Sequence, residues 1–184
     1  AENDTLVSVV REELAADFAE LQKQDVKPYF MSFRVQESHT ANILATFGFL
    51  GNSRQEHDRQ FTPQIRVGTP ELDNFKFNPQ SSVGYTSLPL TDASSDAFRT
   101  TIWKHMLNAY DRVVNEYRSV QNRLRTQADN EDKAPCFSVL GDSPAETYYE
   151  APLRHPSLTP EEQREWEQRL CRILVERSSR TAVA

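Results

Sequence analysis

Glycine is scarce in this chain, with only five among 184 residues, and their placement excludes two phosphate-binding motifs. Neither G-x-G-x-x-G nor G-x-x-x-x-G-K-[ST] occurs, so the sequence lacks a Gly-rich loop of the dinucleotide-binding or P-loop type. Apolar residues are never continuous over the roughly 20 positions that a membrane-spanning helix needs. We therefore expect a protein without a nucleotide-cradling loop and without a membrane partner.

Cysteine is almost as rare, because Cys136 and Cys171 are the only two and form no C-x-x-C pair. A zinc ribbon or a thioredoxin-like redox motif is thereby excluded. The two thiols could form a disulfide in an oxidising compartment, but their spacing alone leaves pairing open. The sequence begins at Ala1 rather than Met, which suits either a trimmed chain or a mature protein after signal-peptide removal. This favours an extracytoplasmic (periplasmic) location over a cytoplasmic one.

Positive charge is not in excess either, since the formal net charge is -6 and the isoelectric point is about 5.3. A protein of this charge has no general attraction to a nucleic-acid backbone. One basic cluster, Arg118, Arg123 and Arg125, is diluted by acidic neighbours and is typical of a solvated helix face. We expect no nucleic-acid partner.

Catalytic and metal-binding signatures are missing as well. No H-E-x-x-H and no G-x-S-x-G occurs, and Cys136 has no neighbouring cation to activate it. His39 and His57 fall in two predicted strand connections at opposite ends of one strand, which would hold them about 30 Å apart. His105 fits a helix face. We predict no catalytic, cofactor-binding or metal-ligating residue in the chain and hence no cofactor.

What the sequence does contain is a clear pattern of elements. Apolar residues recur at three- and four-residue steps over 4–24, 94–128 and 159–178, which predicts three helices. Thr159 and Glu162 predict a capping box at the start of the third. The apolar stripe of the first helix is Leu6, Val10, Leu14, Phe18 and Leu21, and that of the second is Phe98, Ile102, Trp103, Met106, Tyr110, Val113, Val114, Tyr117, Val120 and Leu124. Alternation of period two predicts strands over 28–36, 40–50 and 58–68, with loops over 69–92 and 129–158. The fold class is α+β. We predict an antiparallel β-meander of at least three strands packed against a long central helix, with N-terminal and C-terminal helices, in a single domain over 1–184.

The predicted loop over 69–92 is long for a compact domain, and loops of this length are usually functional or mobile. Its three aromatic residues, Phe75, Phe77 and Tyr85, either dock the loop on the sheet or form a surface for a partner or ligand. Both interpretations stay open. Just before them, Asp73 and Asn74 are typical of turn geometry, which is the simpler explanation for that pair.

The same region carries a resemblance to a known family. The matching segments are Pro28–Val35 (PYFMSFRV), Ala45–Gly48 (ATFG), Pro63–Gly68 (PQIRVG) and Leu72–Phe75 (LDNF), followed by Ile102-Trp103, Val120–Leu124 (VQNRL) and Trp166. Together they resemble the amino-terminal domain of TldD/PmbA-like proteins, a metallopeptidase-related family also called modulators of DNA gyrase, in its divergent secreted-type branch. The resemblance extends over nearly the whole chain.

The resemblance implies a non-catalytic module. In that family a carboxy-terminal domain completes the proteolytic site and carries the zinc-binding His-Glu-x-x-x-His motif, which this sequence lacks. The amino-terminal domain packs against the catalytic part and helps to form a dimer around the active site. The expected role is therefore structural or substrate-admitting, with the carboxy-terminal domain of the same parent protein and a homodimer as partners. The alternatives are a free-standing extracytoplasmic domain that binds a peptide or protein, and an enzyme whose site is not recognisable from sequence.

Overall fold

The structure is a computed structural model that describes residues 5–77, 84–126, 148 and 157–181. The possible pairing of Cys136 with Cys171 and most of the predicted loop over 129–158 fall outside these residues. The described elements are α1 (Thr5–Leu21), β1 (Pro28–Thr46), β2 (Phe49–Val67), β3 (Thr86–Ser87), α2 (Asp96–Thr126) and α3 (Pro160–Thr181).

The strands form one antiparallel sheet in the order β1-β2-β3, which confirms the α+β class and the three-stranded meander with its three helices. The strand boundaries differ from the prediction. Residues 37–39 and 51–57, predicted as connections, belong to two strands of 19 residues each. The third strand is not 58–68 but Thr86–Ser87, within the predicted loop, and it pairs with Gln60 and Phe61.

The hairpin is long because its two strands are joined by a tight two-residue turn and pair directly on either side of it. Phe47 and Gly48 both adopt positive φ angles, 50° and 83°, as a two-residue hairpin turn of the I′ class requires. The polar stretches on either side, which suggested loops, continue as strand because their side chains face solvent. Period-two alternation is weak where both faces of a hairpin are wet, and sequence patterns then undercount strand length.

Helix α2 packs on the sheet and carries most of the core. Its buried side chains are Phe98, Ile102, Met106, Ala109, Tyr110, Val113, Val114 and Val120, close to the predicted stripe. Phe61, Ile65 and Val67 of β2 face it and are buried completely. The burial of such side chains contributes about 1.5–3 kcal/mol each to folding. Ser95 caps the helix by accepting the Phe98 amide at 3.3 Å.

Helix α1 packs on the core through part of the predicted stripe and through two positions beside it. Of the stripe, Leu21 is buried and the other members are half-buried, with Leu6 and Val10 packed against the core. Val9 and Asp17, each one position before a stripe residue, are buried as well. As a result, the carboxyl group of Asp17 lies on the face that packs inward.

The chain divides into two compact units, residues 1–36 with 59–149 and residues 37–58 with 150–184. The first holds α1, α2, β3 and the buried halves of β1 and β2. The second holds residues 37–58, here named the hairpin arm, and α3. Helix α3 begins with the predicted capping box, because the Thr159 amide donates to Glu162 Oε2 at 2.7 Å and the Glu162 amide donates to Thr159 Oγ1 at 3.2 Å.

Helix α3 contacts the hairpin arm through uncharged side chains. Gln163 Nε2 donates to Ser53 Oγ at 2.6 Å, and Gln55 Nε2 donates to Gln163 Oε1 at 2.6 Å. Gln55 Nε2 also donates to the Leu158 carbonyl at 3.0 Å. Within the described helices, none combines the length and apolarity that crossing a bilayer requires.

Candidate functional sites

Asp73 and Asn74, which the sequence associates with a turn, are completely buried and hold β2 to the segment that follows it. Asn74 Oδ1 accepts the Val67 amide at 3.0 Å, and Asn74 Nδ2 donates to the Ile65 carbonyl at 3.4 Å. The amide side chain thus satisfies one backbone donor and one backbone acceptor of β2. This explains the pair by folding rather than by chemistry on a substrate.

The Asp73 carboxylate forms a buried polar cluster. Its Oδ2 accepts the Tyr29 hydroxyl at 2.7 Å and Arg66 Nη1 at 2.7 Å, while Oδ1 accepts the Phe75 amide at 2.8 Å. Burial, followed by the hydrogen bond to Asp73, raises the pKa of Tyr29 above its usual value of 10. Tyr29 therefore stays a neutral donor and does not act as a base. Both oxygens of the Asp73 carboxylate are thus used in contacts within the fold.

The three aromatic residues proposed as a partner or ligand surface are not gathered into one pocket. Phe75 lies under the Arg66 guanidinium, 4.2 Å from ring centre to Cζ, and Phe77 lies under Arg123 at the same distance. Of the three, Phe77 lines a mainly apolar hollow of about 390 Å³ against α2. Arg112, Ser119 and Val120 also line this hollow. Tyr85 is largely exposed in front of β3.

The predicted separation of His39 and His57 by about 30 Å is wrong. Their rings stack with centroids 3.9 Å apart and planes 19° apart. The prediction failed because both residues lie inside the two strands of one hairpin rather than in the connections at the ends of a strand. His57 Nε2 also contacts Glu37 Oε1 at 2.5 Å, so a carboxylate and two imidazoles converge on the hairpin arm.

The other described histidine, His105, lies on α2 as predicted. Its Nε2 contacts the Gly84 carbonyl at 2.7 Å, and its ring meets the edge of Phe61 with centroids 5.9 Å apart. Within the described residues, the group of Glu37, His39 and His57 is the sole set of three metal-ligating side chains whose ligand atoms lie within 4.8 Å of one another.

Asp17 is a titratable group that sequence reasoning missed. It is 3% exposed, and no hydrogen-bond partner lies within reach of its Oδ2. Burial, with a smaller contribution from Glu13, raises the pKa of Asp17 to about 7. Its burial could have been predicted from the spacing, because Asp17 lies four residues before Leu21 and eight after Val9. This spacing places its carboxyl group on the same face of the helix as those two residues.

An exposed apolar surface lies at the turn of the hairpin arm. Phe47 and Phe49 are 81% and 78% exposed, and Leu44 and Leu50 flank them; we call these four residues the apolar tip. Such side chains are ordinary when scattered singly, whereas large contiguous apolar patches are typical of interaction surfaces, so the apolar tip is a candidate site.

Comparison with protein-family models, with curated proteins and with solved structures finds no match for the chain. The geometry of the described residues is therefore the basis for a functional conclusion, together with the resemblance carried by the segments named above.

Proposed function

We propose that the chain is the non-catalytic amino-terminal module of a TldD/PmbA-like, peptidase-related protein, and that its apolar tip contacts the carboxy-terminal domain of that protein. The observation that carries the proposal is the conformation of Phe47. This residue has a φ of 50° and leaves its ring 81% exposed.

Phe47 is unfavourable at this position because its backbone is strained and because its exposed ring does not stabilise the fold. A non-glycine residue in the left-handed region loses roughly 1–2 kcal/mol relative to the right-handed one. The first position of a two-residue hairpin turn is usually Asn or Asp, which tolerate that region. An aromatic side chain there stabilises neither the turn nor the core, and contact with another protein surface explains its presence. Residues held in strained conformations are concentrated at functional sites.

Two further features support this proposal. Ala45–Gly48, one of the segments that carry the family resemblance, forms the turn itself. The Asp73 and Asn74 side chains, in another of those segments, are used for folding and leave no catalytic arrangement there. A structural or substrate-admitting role fits a chain whose conspicuous surface is apolar.

The test uses the complete protein encoded by the gene that contains these 184 residues. Hydrogen exchange of the backbone amides over 44–50 is expected to be slower in the complete protein than in the 184-residue chain, because the tip is covered. Phe47→Asn should restore fast exchange, while Leu90→Ser, at an exposed apolar position elsewhere, should not.

Equal exchange in the two proteins, or a gene that encodes no further domain, would contradict the proposal. Protection that appears in the 184-residue chain alone and grows with its concentration would instead identify a homodimer as the occupant of the tip.

The second candidate is a free-standing extracytoplasmic domain that binds a peptide or protein, and the hollow beside Phe77 favours it. Its apolar lining with two arginines suits an extended segment that carries an acidic residue. Binding of such peptides by the 184-residue chain, lost in Arg112→Glu at an exposed position of the hollow and kept in Phe47→Asn, would favour this candidate over the first.

A further inference from the structure

We propose that Glu37, His39 and His57 form a binding site for a borderline divalent transition-metal ion, with Zn²⁺ as the best fit. One ligand atom from each residue lies within 4.8 Å of the others. The site belongs to the hairpin arm and its helix, and it is independent of the role proposed for the apolar tip.

The hairpin itself brings the ligands together. Glu37 and His39 are two residues apart on β1, so their side chains leave the same face of the strand. His57 comes from β2 and stacks on His39. Because β1 and β2 are neighbouring strands of one sheet, joined by a two-residue turn, all three ligands lie on one hairpin. A site on paired strands is more rigid than a site on a loop.

The donor set indicates the class of metal. Two imidazole nitrogens and one carboxylate are the ligands of a three-residue zinc site with an open fourth position. Hard cations such as Mg²⁺ and Ca²⁺ prefer oxygen ligands alone, so the imidazoles disfavour them. The group is only partly exposed, and water or a ligand from another molecule can reach the fourth position.

A fourth residue positions one of the ligands. Ser157 Oγ lies 2.8 Å from His39 Nδ1, just before α3. Metal-ligating histidines usually have their second ring nitrogen in such a hydrogen bond, which fixes the ring and leaves the other nitrogen for the metal. Ser157 therefore assigns Nε2 of His39 to the metal. His57 Nε2 and the Glu37 carboxylate, now in direct contact, would separate slightly to admit the ion.

Binding requires a small rearrangement. Lone pairs of stacked, nearly parallel imidazoles point along parallel directions and do not converge on one ion. Rotation about the Cβ–Cγ bond of either histidine removes this obstacle, and such torsions are soft. Because both rings are half-exposed, the rotation displaces no core side chain.

The experiment is a calorimetric titration of the full 184-residue chain, free of tags, with Zn²⁺. Cys136 and Cys171 are replaced by serine throughout, so that thiolates do not compete as ligands. We expect one ion per chain. The association constant should fall at least about ten-fold in His39→Ala and in His57→Ala, because loss of a residue that only orients a metal ligand already lowers affinity about 10- to 100-fold. His105→Ala alters a histidine outside the site, so this variant should bind Zn²⁺ with the same affinity as the chain that carries only the Cys→Ser replacements.

The proposal is overturned if the chain with the two Cys→Ser replacements and an intact site does not bind Zn²⁺ stoichiometrically. Unchanged Zn²⁺ binding in either histidine variant would also overturn it. Circular dichroism controls for folding. If a histidine variant does not fold, Glu37→Gln provides the decision, because it keeps the side-chain shape and removes the charged ligand. Weakened binding in this variant supports the site, and unchanged binding refutes it.

Discussion

Tyr29 and Asp73, 44 residues apart in the chain, are joined by a hydrogen bond of 2.7 Å from the phenol to a fully buried carboxylate. Arg66 contacts the same oxygen at 2.7 Å, and its side chain is only 11% exposed. The start of β1, the end of β2 and the segment after it are therefore held by one carboxyl group.

Removal of that carboxyl group should be far more damaging than removal of one of its donors. We expect Asp73→Ala to lower the free energy of unfolding by about 3–5 kcal/mol, because it leaves the Arg66 charge buried without its partner. Tyr29→Phe should cost only about 1 kcal/mol, since the ion pair survives. Urea denaturation measures both. Equal losses in the two variants would show that the ion pair contributes little.

Asp17 should make stability depend on pH in an unusual direction. Its pKa is about 7 in the folded chain and 3.8 ordinarily, so between these values the folded state binds more protons than the unfolded state. The free energy of unfolding should therefore fall as pH rises through this window, by up to about 4 kcal/mol at roughly 1.4 kcal/mol for each pH unit.

The matched variant is Asp17→Asn, which cannot ionise. The difference in unfolding free energy between the wild type and this variant should change steadily from about pH 4 to about pH 8. Other carboxyl groups contribute to both proteins and cancel. A difference that is constant with pH would mean that Asp17 does not titrate in the window.

Gly68 should not tolerate a side chain. Its φ of 103° is rarely adopted by other residues, and an added Cβ would lie 2.5 Å from the Leu72 carbonyl oxygen and 2.6 Å from the Tyr117 ring. We expect Gly68→Ala to destabilise the chain by about 2–4 kcal/mol, since backbone strain and overpacking act together. Gly84→Ala is the control, because nothing lies within 4 Å of its added methyl group. Thermal unfolding that ranks the two variants equally would contradict this expectation.

Phe47 can be replaced with a gain in stability. Phe47→Asn should raise the free energy of unfolding of the 184-residue chain by up to about 1 kcal/mol, because Asn tolerates positive φ. Phe49→Asn removes a similarly exposed ring from a residue with ordinary strand geometry, and it should give no gain. A loss of stability in the first variant would show that the ring contributes to the turn.

The sequence predicted which helices and strands form more accurately than the residues at which they begin and end. The stripe on α2 and the capping box at Thr159 follow directly from local spacing, so both could be predicted. The hairpin could not, because a Phe in a left-handed turn is a local exception that propensity does not anticipate. That single misjudged turn also misplaced His39 and His57, since their distance depends on strand pairing rather than on sequence separation.

The burial of Asp17 escaped prediction for a related reason. Asp17 lies one position before Phe18 of the predicted stripe, and only the packing partners of α1 decide which of the two is buried more deeply. Phe75, Phe77 and Tyr85 could be singled out by type, but the arginines that cover the first two come from β2 and α2. Contacts of this kind follow from the tertiary fold alone.

The bonds between Gln163 and the hairpin arm have a consequence for behaviour in concentrated salt. Amide and hydroxyl groups carry no net charge, so dissolved ions do not screen them. The helix pair α1 and α2, in contrast, is bridged by Arg99 to Glu12 and Glu13, which mobile ions weaken. A concentrated chloride solution should thus weaken the Arg99 ion pairs between α1 and α2 more than the Gln163 hydrogen bonds to the hairpin arm.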